Sequence, residues 1–288
     1  MPSDHIKTIP QYIAPKRALT AFAGFMANLK IPAIKNYLIH DFIQKYQVNM
    51  QEAVDEQVEH YACFNDFFIR HLRPECRPVA EAAVVSPVDG VISEIGRITS
   101  GRLLQAKGRD YTVSELLSSE SALSAQFDNG SFATLYLSPK DYHRVHMPMD
   151  ATLKEMIYVP GKLFSVQPTT ARVIPRLFAR NERLVVFFDT SVGLMAMVLV
   201  GATIVGAIGT AWHGDIRRGR QKVRFDYTDN TAVNTALQKA VEMGYFKLGS
   251  TVVLLFADGE RMQWRPDLQA GSGIRFGEAL GSAAPKVM

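Results

Sequence analysis

Residues 190–214 read TSVGLMAMVLVGATIVGAIGTAWHG, and the interpretation of this stretch decides the fold. It holds no Asp, Glu, Lys or Arg and is long enough to cross a bilayer as one helix. Its composition points elsewhere. Gly193, Gly201, Gly206 and Gly209 interrupt it at short intervals, and Met195, Met197, Val198, Val200, Ile204, Val205 and Ile208 lie between them. Short apolar runs between glycine turns predict buried strands, not a span. Upstream, Asp189-Thr190-Ser191-Val192-Gly193 predicts the turn into this region from a strand over Leu184–Phe188.

The same texture extends outward. Strands are predicted at Val84–Val85, Val91–Ile98, Phe132–Leu137, Leu153–Val159, Met195–Val200, Thr203–Ile208, Lys222–Tyr227 and Thr251–Phe256, with turn residues between most of them. One helix is predicted there, over Ala232–Met243, with Leu237, Ala240 and Val241 on one face and Gly244 as its C-cap. Before residue 80 the period changes. Leu19, Phe22, Phe25, Met26 and Leu29 form a helical stripe, and a second begins after Pro32 with Ile34, Leu38 and Phe42. A third helix is predicted from Asn49, with Glu52 completing a capping box, running toward Phe64–Arg70 until Pro74 and Pro78 end it. The expected fold is therefore α+β: N-terminal amphipathic helices over 1–75, then a mainly antiparallel β domain over 76–288.

Composition narrows the classes. At 288 residues, 47% hydrophobic and 21% charged, the chain is neither disordered nor a coiled coil. Its two cysteines, Cys63 and Cys76, supply no disulfide scaffold or cysteine metal module. The net charge is +4, and residues 1–50 carry all of that excess with six bases against two acids. Two basic amphipathic helices suit a lipid interface; the same stripes also suit packing on the protein's own body, which is the commoner use. The bases are too dispersed for a nucleic-acid arm. Asp4 precedes the first bases, and no secretory leader pattern follows.

Three stretches carry candidate chemistry. Asp89 stands in Ser86-Pro87-Val88-Asp89-Gly90, where an Asp commonly bonds only its own turn. His143 and His146 fall in Asp141-Tyr142-His143-Arg144-Val145-His146-Met147-Pro148, but further ligands at metal spacing are missing, so no metal is expected. Ser250 follows Gly249 at the mouth of a predicted buried strand. Asp, His and Ser permit a triad, although spacing alone leaves open whether they meet. A Ser after a Gly can also attack the preceding carbonyl, because glycine leaves that carbonyl unshielded.

Together with Phe64-Asn65-Asp66-Phe67-Phe68-Ile69-Arg70, Gly161–Val166, Asn181-Glu182-Arg183, Val200–Gly206 and Phe246–Thr251, these stretches resemble, in order along residues 60–256, the phosphatidylserine decarboxylases. The resemblance implies a proenzyme that cuts itself between Gly249 and Ser250, giving a β chain 1–249 and an α chain 250–288. Ser250 would attack the Gly249 carbonyl with His146 as base and Asp89 orienting that histidine. β-Elimination and hydrolysis would then leave a pyruvoyl group in place of Ser250, with no pyridoxal phosphate needed. His143 would return the proton after phosphatidylserine, held as a Schiff base, loses CO2; its alternative role is support of the His146 loop. The resemblance further implies a homodimer lying peripherally on the cytoplasmic face of the membrane, with the N-terminal helices on anionic lipid. The alternatives are a Ser-His-Asp lipid hydrolase and a non-catalytic lipid-binding β domain.

Overall fold

The computed structural model describes residues 4, 8, 10–13, 15–106, 108–118, 123–203, 207–228, 232–247 and 250–284. Its centre is an antiparallel sheet. The strand order is β9 (Val223–Asp226), β4 (Ala151–Val159), β5 (Arg183–Thr190), β6 (Gly193–Gly201), β12 (Ser250–Phe256), β2 (Ser131–Leu137), β1 (Gly90–Arg97) and β13 (Gly273–Ile274), with β10 (Ala236–Leu237) also on β4. A second sheet has the order β8 (Gly214–Asp215), β7 (Ala207–Thr210), β11 (Glu242–Lys247), β3 (Arg144–His146).

Both faces of the central sheet are buried. In β12, Val252, Leu254 and Phe256 enter one apolar cluster while Val253 and Leu255 enter another. The same alternation assigns Met195, Met197 and Leu199 of β6 to the first cluster and Ala196, Val198 and Val200 to the second. A strand covered on both faces has no solvent side on which to place polar residues, so it reads as an unbroken apolar run. That is why 190–214 mimics a membrane span: it supplies β6 and β7. Residues 204–206, inside the predicted Thr203–Ile208 strand, lie outside the described residues. Among the described residues no helix is long and apolar enough to cross a membrane.

The first two predicted helices form as α1 (Lys16–Ala27) and α2 (Pro32–Tyr46), and they use their stripes differently. Ile39 of α2 is fully buried, and Leu38 and Phe42 pack on a third apolar cluster with Phe64, Phe67 and Phe68. The stripe of α1 stays open: Leu19, Phe22 and Phe25 are 45%, 65% and 63% exposed. Lys35, one of the N-terminal bases, is buried and donates to the carbonyls of Val58 and Glu59 at 3.3 and 3.1 Å.

Two predicted helices do not form. Asn49 does cap, accepting from the Gln51 amide at 3.1 Å, but only a 3-10 turn over Met50–Glu52 follows. The amide of Val54 donates to His71 O, and Arg73 N donates to Glu52 O, so the main chain pairs across to 71–73 instead of coiling onward. A second 3-10 turn at Val58–His60 precedes a short helix, α3 (Phe64–Phe68). The Glu52 carboxylate is drawn away to Arg77. The predicted helix over Ala232–Met243 is likewise absent. Ala236 and Leu237 pair with Thr152 and Ala151, Ala240 takes φ +68°, and β11 follows through Gly244 rather than stopping there. Cross-strand pairing overrides a weak helical stripe.

Asn181 ties this frame to the end of the sheet. Its buried amide group accepts from Phe164 N at 3.0 Å and donates to Phe164 O and Gly201 O at 2.8 and 2.9 Å. Asn181→Ala strands three main-chain groups, each costing about 1–3 kcal/mol when buried unpaired. A loss of about 3 kcal/mol or more is expected in urea unfolding, and a change below 1 kcal/mol would contradict this role.

Candidate active site

The candidate residues converge on one end of the central sheet. Ser250 opens β12, opposite Leu137 at the end of β2 and Gly201 at the end of β6. On the far side of β2, Val91 pairs with Tyr136, which sets Gly90 beside Leu137. Only glycine fits there, because a Cβ would stand 2.3 Å from the Tyr136 carbonyl oxygen. Gly90, the residue after Asp89, thus lies about two strand spacings from Ser250, roughly 10 Å. The chain leaving β2 turns at Asp141, whose carboxylate accepts from the Ser138 amide and hydroxyl at 2.7 and 2.8 Å, and then delivers His143 and His146.

Ser250 is fully buried and its Oγ has no hydrogen-bond partner among the described residues. It lines a cavity of about 340 Å³ walled by Phe42 and Tyr46 of α2, Phe68 of α3, Tyr136 and Thr203. Gly249 lies outside the described residues.

His143 is also fully buried. Its Nδ1 lies 2.8 Å from the Asp141 carbonyl oxygen, which makes Nδ1–H the donor and leaves the lone pair on Nε2, an atom without a partner among the described residues. The ring of Phe68, which faces the Ser250 cavity, rests on His143 at 4.1 Å between centroids. Burial pushes the His143 pKa down to about 3, against the pull of the Asp141 carbonyl. His146 has the same tautomer: Nδ1 donates to Ala240 O at 2.8 Å and Nε2 accepts from the Tyr142 hydroxyl at 3.1 Å. Burial pushes its pKa down to about 4. Both imidazoles are neutral at pH 7, each with its lone pair on Nε2 and its basicity lowered by burial.

Asp89 does not merely bond its own turn. Its carboxylate receives Arg77 Nε at 3.0 and 3.1 Å, Arg77 Nη2 at 2.6 Å and the amide of Phe276 at 2.8 Å. Asp89 and His146 share no hydrogen bond, so the Ala240 carbonyl, not Asp89, sets the His146 tautomer. Phe276 joins the two instead, since its ring stacks on His146 at 3.8 Å and 16°. Asp89 acts on His146 through space, favouring its protonated form. Arg77, Tyr142 and Phe276 were not singled out by sequence reasoning. Tyr142 sat inside the histidine stretch and could have been, whereas nothing local marks Arg77 or Phe276.

A family model described as phosphatidylserine decarboxylase matches residues 64–282, and a second, described as PSD, matches residues 6–47. The chain is 60% identical over 277 residues to a phosphatidylserine decarboxylase proenzyme of Legionella pneumophila strain Philadelphia 1, covering 96% of this chain and 98% of that one. It is 51% identical over 284 residues to the proenzyme so named in Polaromonas sp. JS666, covering 98% and 100%. A proenzyme of that name from Yersinia enterocolitica is 50% identical over 287 residues, 98% of each chain. Matches of this extent make the chain a decarboxylase, a lyase, by family. It belongs to the phosphatidylserine decarboxylase family.

The depressed histidines carry a pH consequence. An unfolded histidine titrates near 6.5, so between there and the folded values the unfolded chain binds more protons than the folded one. Stability is therefore present above 6.5 and falls as the pH drops toward 4, by about 1.4 kcal/mol per pH unit for each histidine. Replacing His143 by Asn, which keeps a donor for Asp141 O, should flatten this dependence in urea midpoints between pH 6.5 and 4. An unchanged slope would show that His143 is charged in the folded protein or titrates normally.

Proposed function

We propose that the chain is a self-processing proenzyme that cuts itself between Gly249 and Ser250 and then decarboxylates phosphatidylserine to phosphatidylethanolamine. The observation that carries this reading is Ser250 itself: a fully buried hydroxyl with no partner among the described residues, at the N-terminal tip of a strand, facing a mostly apolar cavity. Ser131, Thr134 and Thr251 are also buried without a partner, and of the four only Ser250 lines that cavity. The residues fit a group made from the serine, because the cavity offers space at Ser250.

The chain's residues divide the work. His146, neutral and with its lone pair on Nε2, is assigned to take the Ser250 proton as Oγ attacks the Gly249 carbonyl. Asp89, held by Arg77, stabilises the imidazolium that forms. The resulting pyruvoyl group supplies an electron sink, through a Schiff base with the substrate amine, for the electrons left by CO2. His143 is assigned the return of a proton to the carbon that loses CO2; burial holds its ring neutral at rest, so that proton must first be brought to it against the low basicity of the buried ring. The aromatic wall from α2 and α3 excludes water from these transfers.

Access to a bilayer-held substrate is the task of α1. Its exposed Leu19, Phe22 and Phe25 suit burial below the headgroups. Residues 51–288 are formally neutral as a whole, yet they contain the basic run Arg217, Arg218, Arg220, Lys222 and Arg224. Gly219 and Arg220 share a cavity with Ala21 of α1, which sets that run beside the apolar stripe. This favours docking on anionic lipid. Free Cys63 and Cys76 accord with the reducing, cytoplasmic side, and a homodimer is part of the same reading.

Denatured intact mass tests the cut: two chains, the smaller being 250–288 with an N-terminal ketone that reacts with hydroxylamine, are expected. Ser250→Ala should stay whole at 32.0 kDa, and His146→Ala should slow cutting by about 100-fold or more. A whole wild-type chain whose Ser250 is labelled by a fluorophosphonate would replace the decarboxylase reading with a hydrolase. For docking, changing Leu19, Phe22 and Phe25 together to Ser should reduce co-sedimentation with phosphatidylserine liposomes by about tenfold or more. Undiminished co-sedimentation would exclude α1 as the anchor.

A further inference from the structure

A second cavity, of about 480 Å³, lies on the other side of the 138–141 turn from the Ser250 cavity. Arg70 lines it. This side chain is 95% buried by its 5% exposure, and its guanidinium makes one hydrogen bond, Nη2 to the Lys140 carbonyl at 3.2 Å. Among the described residues Nε and Nη1 have no partner, and the face of Phe67 lies 5.3 Å from the guanidinium carbon. Burial opposes its charge; Asp89, Glu52 and Asp141 favour it from a distance, but among the described residues no carboxylate forms an ion pair with it.

The acids of the cavity are engaged elsewhere. Arg77 holds Glu52 and Asp89, Ser138 holds Asp141, and Glu278 accepts from the Arg275 amide. On the rim, Lys140 and Arg275 add positive charge, with Arg275 reaching Glu52 only at 3.9 Å. A buried cation with two idle donors is among the costlier arrangements in a protein interior unless an anion completes it. A guanidinium offers paired N–H groups that match two oxygens of a tetrahedral oxyanion.

We propose that this cavity is a phosphate-binding site, with Arg70 as its buried ligand and Lys140 and Arg275 as its outer charges. The phosphate is either the phosphodiester of a lipid headgroup or free inorganic phosphate. The site needs neither Ser250 nor the cut, so it stands or falls separately from the proposed reaction.

The test is melting of the full-length protein during titration with inorganic phosphate and, separately, with glycerophosphocholine, a soluble phosphodiester that cannot be decarboxylated. Ionic strength is held constant with sodium chloride. A ligand of the folded state raises the melting temperature saturably. Saturation by glycerophosphocholine alone assigns the site to a headgroup, and saturation by inorganic phosphate assigns it to the free ion. Arg70→Met should weaken either response at least about tenfold, the loss expected for a charge-assisted contact. Should that variant fail to fold, the exposed pair Lys140→Met and Arg275→Met should weaken it about threefold. Absence of saturation up to about 50 mM of both probes, or saturation that neither substitution weakens, overturns the proposal.

Discussion

Burial of both faces of the central sheet is the constraint from which the rest of the molecule follows. Val252 to Phe256 of β12 touch apolar clusters above and below, as do the neighbouring strands. Polar chemistry has no place along such strands. It is confined to their ends, where Ser250, the Asp89 turn and the histidine segment meet. Each then needs its own means of support. Arg77 and the Phe276 amide hold Asp89, two carbonyls fix the histidine tautomers, and Asn181 fastens the Phe164 loop to the end of β6.

The strands were legible in the sequence because apolar runs between glycines survive any packing context. The positions of Leu184–Phe188 and Thr251–Phe256 needed only composition to be found. What misled was helix prediction from short stripes. In 232–243 the apparent face came from residues that pair with β4 or turn at Ala240. At Asn49 the cap was real, but the following main chain bonded to 71–73. Neither competitor is visible locally.

The site was legible to a different degree. The resemblance pointed to Asp89, His143, His146 and Ser250, and the fold gathers all four at one sheet end. The residues that govern their behaviour are distant in sequence: Arg77 lies twelve positions from Asp89, and Ala240 ninety-four from His146. Carbonyl oxygens carry no sequence signature at all. A carboxylate facing an imidazole would have raised its basicity strongly. Burial instead keeps both rings neutral, against the opposing pull of their carbonyl partners.

The place of β12 in the sheet has a consequence for the history of the chain. Its neighbours β6 and β2 both come from before residue 249, and it is hydrogen-bonded along its whole length on both sides. Separation at 249/250 would leave the smaller piece clasped in the middle of the larger. Folding of the intact chain is a first-order event, whereas reassembly after such a cut and full unfolding would require two molecules to find each other. On the proposed cut, the order of events would be fixed: folding first, cutting second. A cut molecule that unfolded would lose the continuity that allowed it to form, and its persistence would depend on how slowly the sheet opens rather than on how readily it could be rebuilt.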